Sequence, residues 1–181
     1  MKKILALVAG LMMVASVSFA ESASKNFEIG INGGVAIATT SGYDLGFGGQ
    51  VTGLYRCDEN LGIGLGIGYD TFSVTGSTST VGASTSDLSF LATLKYALGT
   101  DKTKPYLLVG AGLSDTISSI TISSISLSGS TMNPEIQGGL GVQFPVGTDV
   151  DLFLQGTANV IFNTGGSFTY IPVDLGVNFD M

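Results

Sequence analysis

From Phe27 onward, apolar and polar side chains alternate with a period of two, and the phase seldom breaks within a segment. That is the period of a β-strand, whose successive side chains point to opposite faces. The first segment sets Phe27, Ile29, Ile31, Val35 and Ile37 against Glu28, Gly30, Asn32 and Gly34. The second sets Leu45, Phe47, Val51 and Tyr55 against Gly48, Gln50, Thr52 and Arg56, and the third sets five apolar residues from Leu61 to Tyr69 against Gly62, Gly64, Gly66, Gly68 and Asp70. The fourth opposes Leu88, Phe90, Ala92, Leu94 and Tyr96 to Asp87, Ser89, Thr93 and Lys95, with Leu91 out of phase. The fifth follows Pro105 with Leu107, Val109, Ala111 and Leu113. In the sixth, Ile136, Leu140, Val142 and Phe144 oppose Glu135, Gln137 and Gln143. The seventh opposes Val150, Leu152, Leu154, Ala158 and Val160 to Asp151, Gln155, Thr157 and Asn159, with Phe153 on the polar face. The eighth opposes Ile171, Val173, Leu175, Val177 and Phe179 to Tyr170, Asp174, Gly176 and Asn178. Eight segments of about ten residues each have the length of tilted membrane-spanning strands.

The connections alternate as well. Those at 57–60, 99–104 and 145–148 are tight, whereas 73–86 and 114–133 are long, and 39–44 and 163–167 are short loops on the same end as the long ones. Short turns at one end and longer loops at the other predict an eight-stranded antiparallel up-and-down transmembrane β-barrel. Its turns and both chain ends face the periplasm and its loops face outward.

The two faces decide what surrounds the barrel. In a water-soluble barrel the polar face carries abundant charge, but here that face is mostly glycine with a thin supply of charged and amide groups. Such a face suits the inside of a narrow barrel, and the apolar face then meets lipid. The predicted lumen network is Glu28, Gln50, Arg56, Asp70, Lys95, Glu135, Gln137, Gln155 and Asp174, with each cation contacting an inward carboxylate because a buried charge needs a partner. The further acids Asp87, Asp151 and those above are expected on different strands at different heights, which argues against a cation site. On the outer face, Phe27, Tyr55, Tyr96, Phe144 and Phe179 fall at the turn end and Phe47 and Tyr69 at the loop end, as two aromatic girdles at the lipid headgroups would.

Composition narrows the picture. The chain has 181 residues, 27 glycines, no histidine, no tryptophan and only 12% charged residues. Residues 1–20 combine Lys2 and Lys3, an apolar stretch over 4–17 and a small-x-small ending at Ser18 and Ala20, which reads as a signal peptide cleaved after Ala20. The barrel domain is then 21–181. Cleavage leaves five of the seven basic residues against fourteen acidic ones, a net charge of −9 that does not suit nucleic acid. Past residue 20 no apolar run reaches the length of a membrane helix. Cys57 is the only cysteine, so no internal disulfide forms, and its place is a turn.

Candidate chemistry is sparse. Without histidine the many serines lack the usual base that activates a nucleophile, and the commonest transition-metal ligand is missing. The Gly62–Gly64–Gly66–Gly68 series is a strand face rather than a nucleotide loop, since its spacing is strictly two and no helix pattern follows. No cofactor and no enzyme activity are expected. Residues 114–133 are rich in Ser, Thr and Ile, and their alternation changes phase between Ile122 and Ile125. A turn or bulge there would let two arms extend strands five and six as a hairpin. With loop 73–86, this segment is either a contact surface for a host or envelope partner or a tolerated variable loop.

Two stretches, KPYLLVGAG at 104–112 and TYIPVDLGVNF at 169–179, carry a resemblance. On these and the patterning from about residue 26, the chain resembles the small outer-membrane β-barrel family that includes the OmpA transmembrane domain, OmpX and the opacity proteins. The first stretch looks like that family's Pro-Tyr entry to a central strand, the second like its closing strand. The resemblance implies outer-membrane lipids and the barrel assembly machinery as partners, the machinery reading an aromatic near the closing end. Here Phe179 is followed by Asp180 and Met181, a departure from that ending. The implied role is structural or surface-presenting and non-enzymatic, including adhesion. The alternative is a small pore or permeability protein.

Overall fold

The computed structural model describes residues 26–75, 81–99, 103–122 and 125–181. Residues 1–20, expected to be a signal peptide, lie outside them. Eight strands follow in chain order: β1 Phe27–Ala38, β2 Gly46–Arg56, β3 Leu61–Ser73, β4 Val81–Ala97, β5 Lys104–Ile122, β6 Ile125–Pro145, β7 Val150–Asn163 and β8 Gly166–Asp180. Each pairs antiparallel with the next, and β8 returns to β1, so the sheet closes into a barrel. Closure removes sheet edges along the band where all eight strands pair, which is what a β-structure in hydrocarbon requires.

The alternation seen in the sequence becomes inside and outside. Outward side chains are large and apolar: Leu65 is 55% exposed, Leu140 66% and Leu175 64%, values that only a lipid surround makes favourable. Inward side chains are packed. Two small cavities among the inward side chains hold about 10 Å³ each, room for a single water.

The lumen is not only polar. Leu91 and Phe153, out of phase in the sequence, are buried inside, as are Leu54, Tyr106, Leu108, Phe72, Ile161 and Phe168. Glycine makes the space for them. Tyr106 lies opposite Gly141 and Phe153 opposite Gly176, and a Cβ at either glycine would run into the facing ring. The glycine-rich face is therefore one half of a pairing, in which a large inward ring covers a bare position on the neighbouring strand.

Two loop expectations need correction. The connection expected at 73–86 is shorter, because β4 already begins at Val81; residues 76–80 lie outside the described residues. The loop bounds expected at 114–133 give way to the hairpin that the phase change between Ile122 and Ile125 suggested: β5 runs to Ile122 and β6 starts at Ile125, around a connection at 123–124 outside the described residues. Ser and Thr favour turns only where the backbone lacks a ladder partner, and here β5 and β6 pair without interruption from Lys104–Gln143 to Ile122–Ile125.

Candidate functional site

The interior is layered. At the turn end, Glu28 is 3% exposed and receives both lumen cations: Lys95 Nζ donates to Oε1 at 2.6 Å and Arg56 Nη2 to Oε2 at 2.8 Å. Arg56 also grips Asp180 in a fork, through Nη2 to Oδ1 at 2.7 Å and Nη1 to Oδ2 at 3.1 Å. This two-pronged geometry is the strong form of a carboxylate contact. Lys95 further donates to Gln143 Oε1 at 2.7 Å, and Gln143 passes an amide hydrogen bond to Asp151. The ammonium lies 4.7 Å from the Tyr106 ring centre, over an electron-rich face. Strands β1, β2, β4, β6, β7 and β8 thus tie their lower ends into one charge-paired knot.

The middle layer is mostly apolar, formed by Tyr106, Leu108 and Phe153. Tyr106 donates to Gln155 Oε1 at 3.1 Å, and Gln155 Nε2 reaches Asp174 at 3.4 Å. Gln50, Gln137 and Asp174 line one small cavity beside Asp70 and Asn159.

The outer layer departs from expectation. Three of the six carboxylates expected at scattered heights converge: the Tyr170 hydroxyl lies 3.3 Å from Asp70, 3.3 Å from Asp87 and 3.4 Å from Glu135. One phenol has one proton to donate, so it satisfies one of the three at a time. Asp87 also accepts from the Ser114 and Thr116 hydroxyls, and Glu135 Oε1 from Asn159 Nδ2 at 3.1 Å, while Glu135 Oε2 has no partner among the described residues. Register explains the convergence. Asp70 and Asp87 are direct cross-strand partners, and the stagger of tilted strands carries Glu135 across to meet them. Among the described residues no lysine or arginine pairs with this layer, and no group of acids has the arrangement to hold a metal ion.

Above it sits an aromatic lid that sequence reasoning missed. Phe72, Phe168 and Tyr170 pack with centroids 5.2 to 5.6 Å apart, Tyr43 adds a ring 5.0 Å from Phe168, and Ala36 and Ile161 complete the cluster. The available signal was the inward phase of these rings at the outer ends of β3 and β8.

The proposed girdle residues face outward. Phe47 is 60% exposed, and Tyr55, Tyr69, Tyr96, Phe144 and Phe179 are also exposed, whereas Phe27 is half-buried, its ring lying beside Gly53 on β2. Cys57 is an exposed thiol in the β2–β3 turn, beside an Asp58 carboxylate that accepts from the Asn60 and Leu61 amides at 2.7 Å each.

The rim is uneven. β1 and β2 have 12 and 11 residues, but β4, β5 and β6 have 17, 19 and 21, so three strands rise past the others as one sheet. β7 pairs with β6 only from Glu135 to Pro145. Residues 125–134 therefore have β5 on one side and no strand on the other among the described residues.

Residues 5–179 match the outer membrane protein beta-barrel domain family. The chain belongs to that family. Its place is the bacterial outer membrane, and its fold is shared by solved structures of low sequence identity. Neisserial surface protein A is 23% identical, with a TM-score of 0.65 over 89% of this chain and 100% of that one. Ail, the attachment invasion locus protein of Yersinia pestis, is 13% identical with a TM-score of 0.58, over 86% of this chain and 100% of Ail. A major outer membrane protein from Thermus thermophilus is 13% identical with a TM-score of 0.60, over 86% and 98%. No curated protein matches the chain.

Proposed function

We propose that this outer-membrane barrel is non-enzymatic and that it presents the β4–β6 extension outside the cell as a contact surface. The observation that carries the reading is the division of the molecule into a packed, lidded lumen and one tall sheet. A lumen filled by Tyr106, Phe153 and the charge knot, and closed by Phe72 and Phe168, offers no continuous path for solute. The extension instead sets a regular hydroxyl-bearing sheet beyond the membrane. Its outward row runs Ser84, Ser119 and Ser128 across the three strands, with Ser73 at the end of β3 beside Ser84.

The chemistry of that surface constrains the partner. A structure of Ail holds sucrose octasulfate, a heparin analogue, but such an anion needs cations. Residues 116–134 here contain no charged residue at all, so a sulfated glycan does not suit this sheet. Uncharged protein or neutral sugar does. The absence of histidine from the whole sequence supports the non-enzymatic part of the reading.

The test is trimming. Ser114 and Asn133 are buried lumen residues, so the cut belongs above them: residues 117–130 are replaced by Asn-Gly, a two-residue turn that joins the paired Thr116 and Thr131. Cells with the trimmed barrel should lose contact with surfaces or cells that the full barrel binds, while heat-modifiable gel mobility shows the barrel intact. Unchanged binding would refute surface presentation, and a leaky envelope with unchanged binding would place the role in envelope integrity. N-terminal sequencing of the membrane-inserted protein should begin at Glu21.

A further inference from the structure

The exposed edge of β6 has a defined hydrogen-bonding polarity. At the β6–β7 turn the Val146 amide donates to the Val150 carbonyl at 3.0 Å, and the ladders of β6 with β5 and with β7 run in constant register. In an antiparallel ladder the backbone groups of alternate residues point to alternate neighbours. Even-numbered residues of β6 therefore aim at β7, and above the barrel wall, where β7 has turned away, Ser126, Ser128, Ser130 and Met132 aim their N–H and C=O groups to the side on which no strand stands among the described residues. Pro134 is the even residue at which pairing with β7 stops. With no N–H to give, it suits the end of that ladder.

Edges of this kind invite another strand, and proteins ordinarily block them with charge, proline or a bulge. Residues 125–133 have none of these. The segment is also symmetric about Ser128: Leu127 and Gly129 flank it, then Ser126 and Ser130. An antiparallel copy centred there pairs Ser128 with Ser128, Ser126 with Ser130 and Leu127 with Gly129, forming about six ladder hydrogen bonds. Leu127, 74% exposed, then lies across from Gly129, beside which nothing stands within 4 Å of a Cβ position. The net acidic character of the chain does not oppose this contact, since no charge lies on the paired segment.

The strand tilt selects where the second copy stands. Two copies side by side in one membrane are related by an axis along the membrane normal, and a tilt of about 40° sets their β6 strands some 80° apart, which no ladder tolerates. Two copies in facing membranes are related by an axis perpendicular to the sheet, which makes the strands antiparallel. We propose that the β6 edge at residues 125–131 pairs with the same edge of a second copy on an opposing surface, as a homotypic cell-to-cell contact. This rests on surface presentation of the extension. Each pairing is small, and many pairings across two surfaces supply the strength.

The experiment uses the full barrel in two colours of phosphatidylcholine vesicles. Two-colour coincidence should rise about tenfold over protein-free vesicles, the gain expected of a multivalent contact. Ser128→Pro removes one outward N–H without touching the β5 ladder and should return coincidence to background. Ser128→Lys vesicles and Ser128→Asp vesicles should each fail alone and recover when mixed. Equal coincidence in wild type and Ser128→Pro, or no recovery in the mixed populations, would overturn the pairing. On intact cells a bulky maleimide reagent is applied to Ser128→Cys in a Cys57→Ser background. Labelling without vesicle coincidence overturns self-pairing and leaves presentation standing; absence of labelling overturns both.

Discussion

The two ends of the lumen bury acid in opposite ways. At the turn end every carboxylate of the knot faces a cation or an amide: Glu28 takes Lys95 and Arg56, Asp180 takes the Arg56 fork, and Asp151 takes Gln143. At the outer end Asp70, Asp87 and Glu135 crowd one phenol, and one oxygen of Glu135 has no partner. The difference follows from where the cations lie in the sequence. Beyond residue 20, all five basic residues, Lys25, Arg56, Lys95, Lys102 and Lys104, fall beside the short turns or the amino end. The same barrel thus holds a rigid, charge-balanced base and an acid-rich outer layer capped by rings. Removing a charge should therefore have opposite effects at its two ends.

The largest expected effect is at the base. Lys95→Met leaves Glu28, with its side chain 4% exposed, facing only the half-buried Arg56. Breaking a buried pair from one side costs about 3–5 kcal/mol, and urea unfolding from lipid vesicles should show a loss of that order. The double variant Lys95→Met with Glu28→Leu should recover most of it, since an apolar pair of similar volume needs no partner. A Lys95→Met barrel as stable as wild type would remove the distinction between the two ends.

Next in size is Tyr170→Phe, which removes the only hydroxyl shared by the three acids and takes an acceptor from Asn159. The expected loss is about 1–3 kcal/mol, that of leaving buried polar groups unsatisfied. Glu135→Gln should go the other way. The Oε1 acceptor is kept, the unpartnered oxygen becomes a donor among carboxylates, and stability should rise by on the order of 1 kcal/mol. A loss of stability in Glu135→Gln would mean that the outer layer needs its full charge, and the comparison would fail at that end.

How much of this was readable beforehand differs between the same two ends. Alternation alone puts Glu28, Arg56 and Lys95 on the inward phase, and the need of a buried cation for a carboxylate gives each cation an acidic partner, although only the register makes that partner Glu28 for both. The outer cluster needs heights, and height depends on the stagger between strands, to which a period of two is blind. Asp70 and Asp87 are level because of where β4 begins, and the Ser-rich stretch 81–86 concealed that start behind turn-like composition. The rings of the lid broke the expectation of a polar lumen. Phe72 and Phe168 share its phase but not its chemistry, and only the closed barrel shows that they stopper it. The tall sheet was legible through the phase change near 122–125, whereas its unpaired edge depends on where β7 stops.

The smallest effect separates the rim of the base from its interior. Asp180 is held by both prongs of Arg56, yet the Arg56 side chain is 27% exposed and that of Asp180 16%, so water and salt reach the pair. Asp180→Asn keeps an oxygen for one prong and leaves Glu28 to hold the other, so the loss should be below about 1 kcal/mol and should shrink further at high ionic strength. The loss in Lys95→Met should hardly respond to salt, because its pair is shielded by Tyr106 and Gln143. Unfolding curves for both variants at low and high salt therefore rank the two contacts by depth. An Asp180→Asn loss as large as that of Lys95→Met, and equally indifferent to salt, would show that the knot acts as one buried unit reaching to the end of β8.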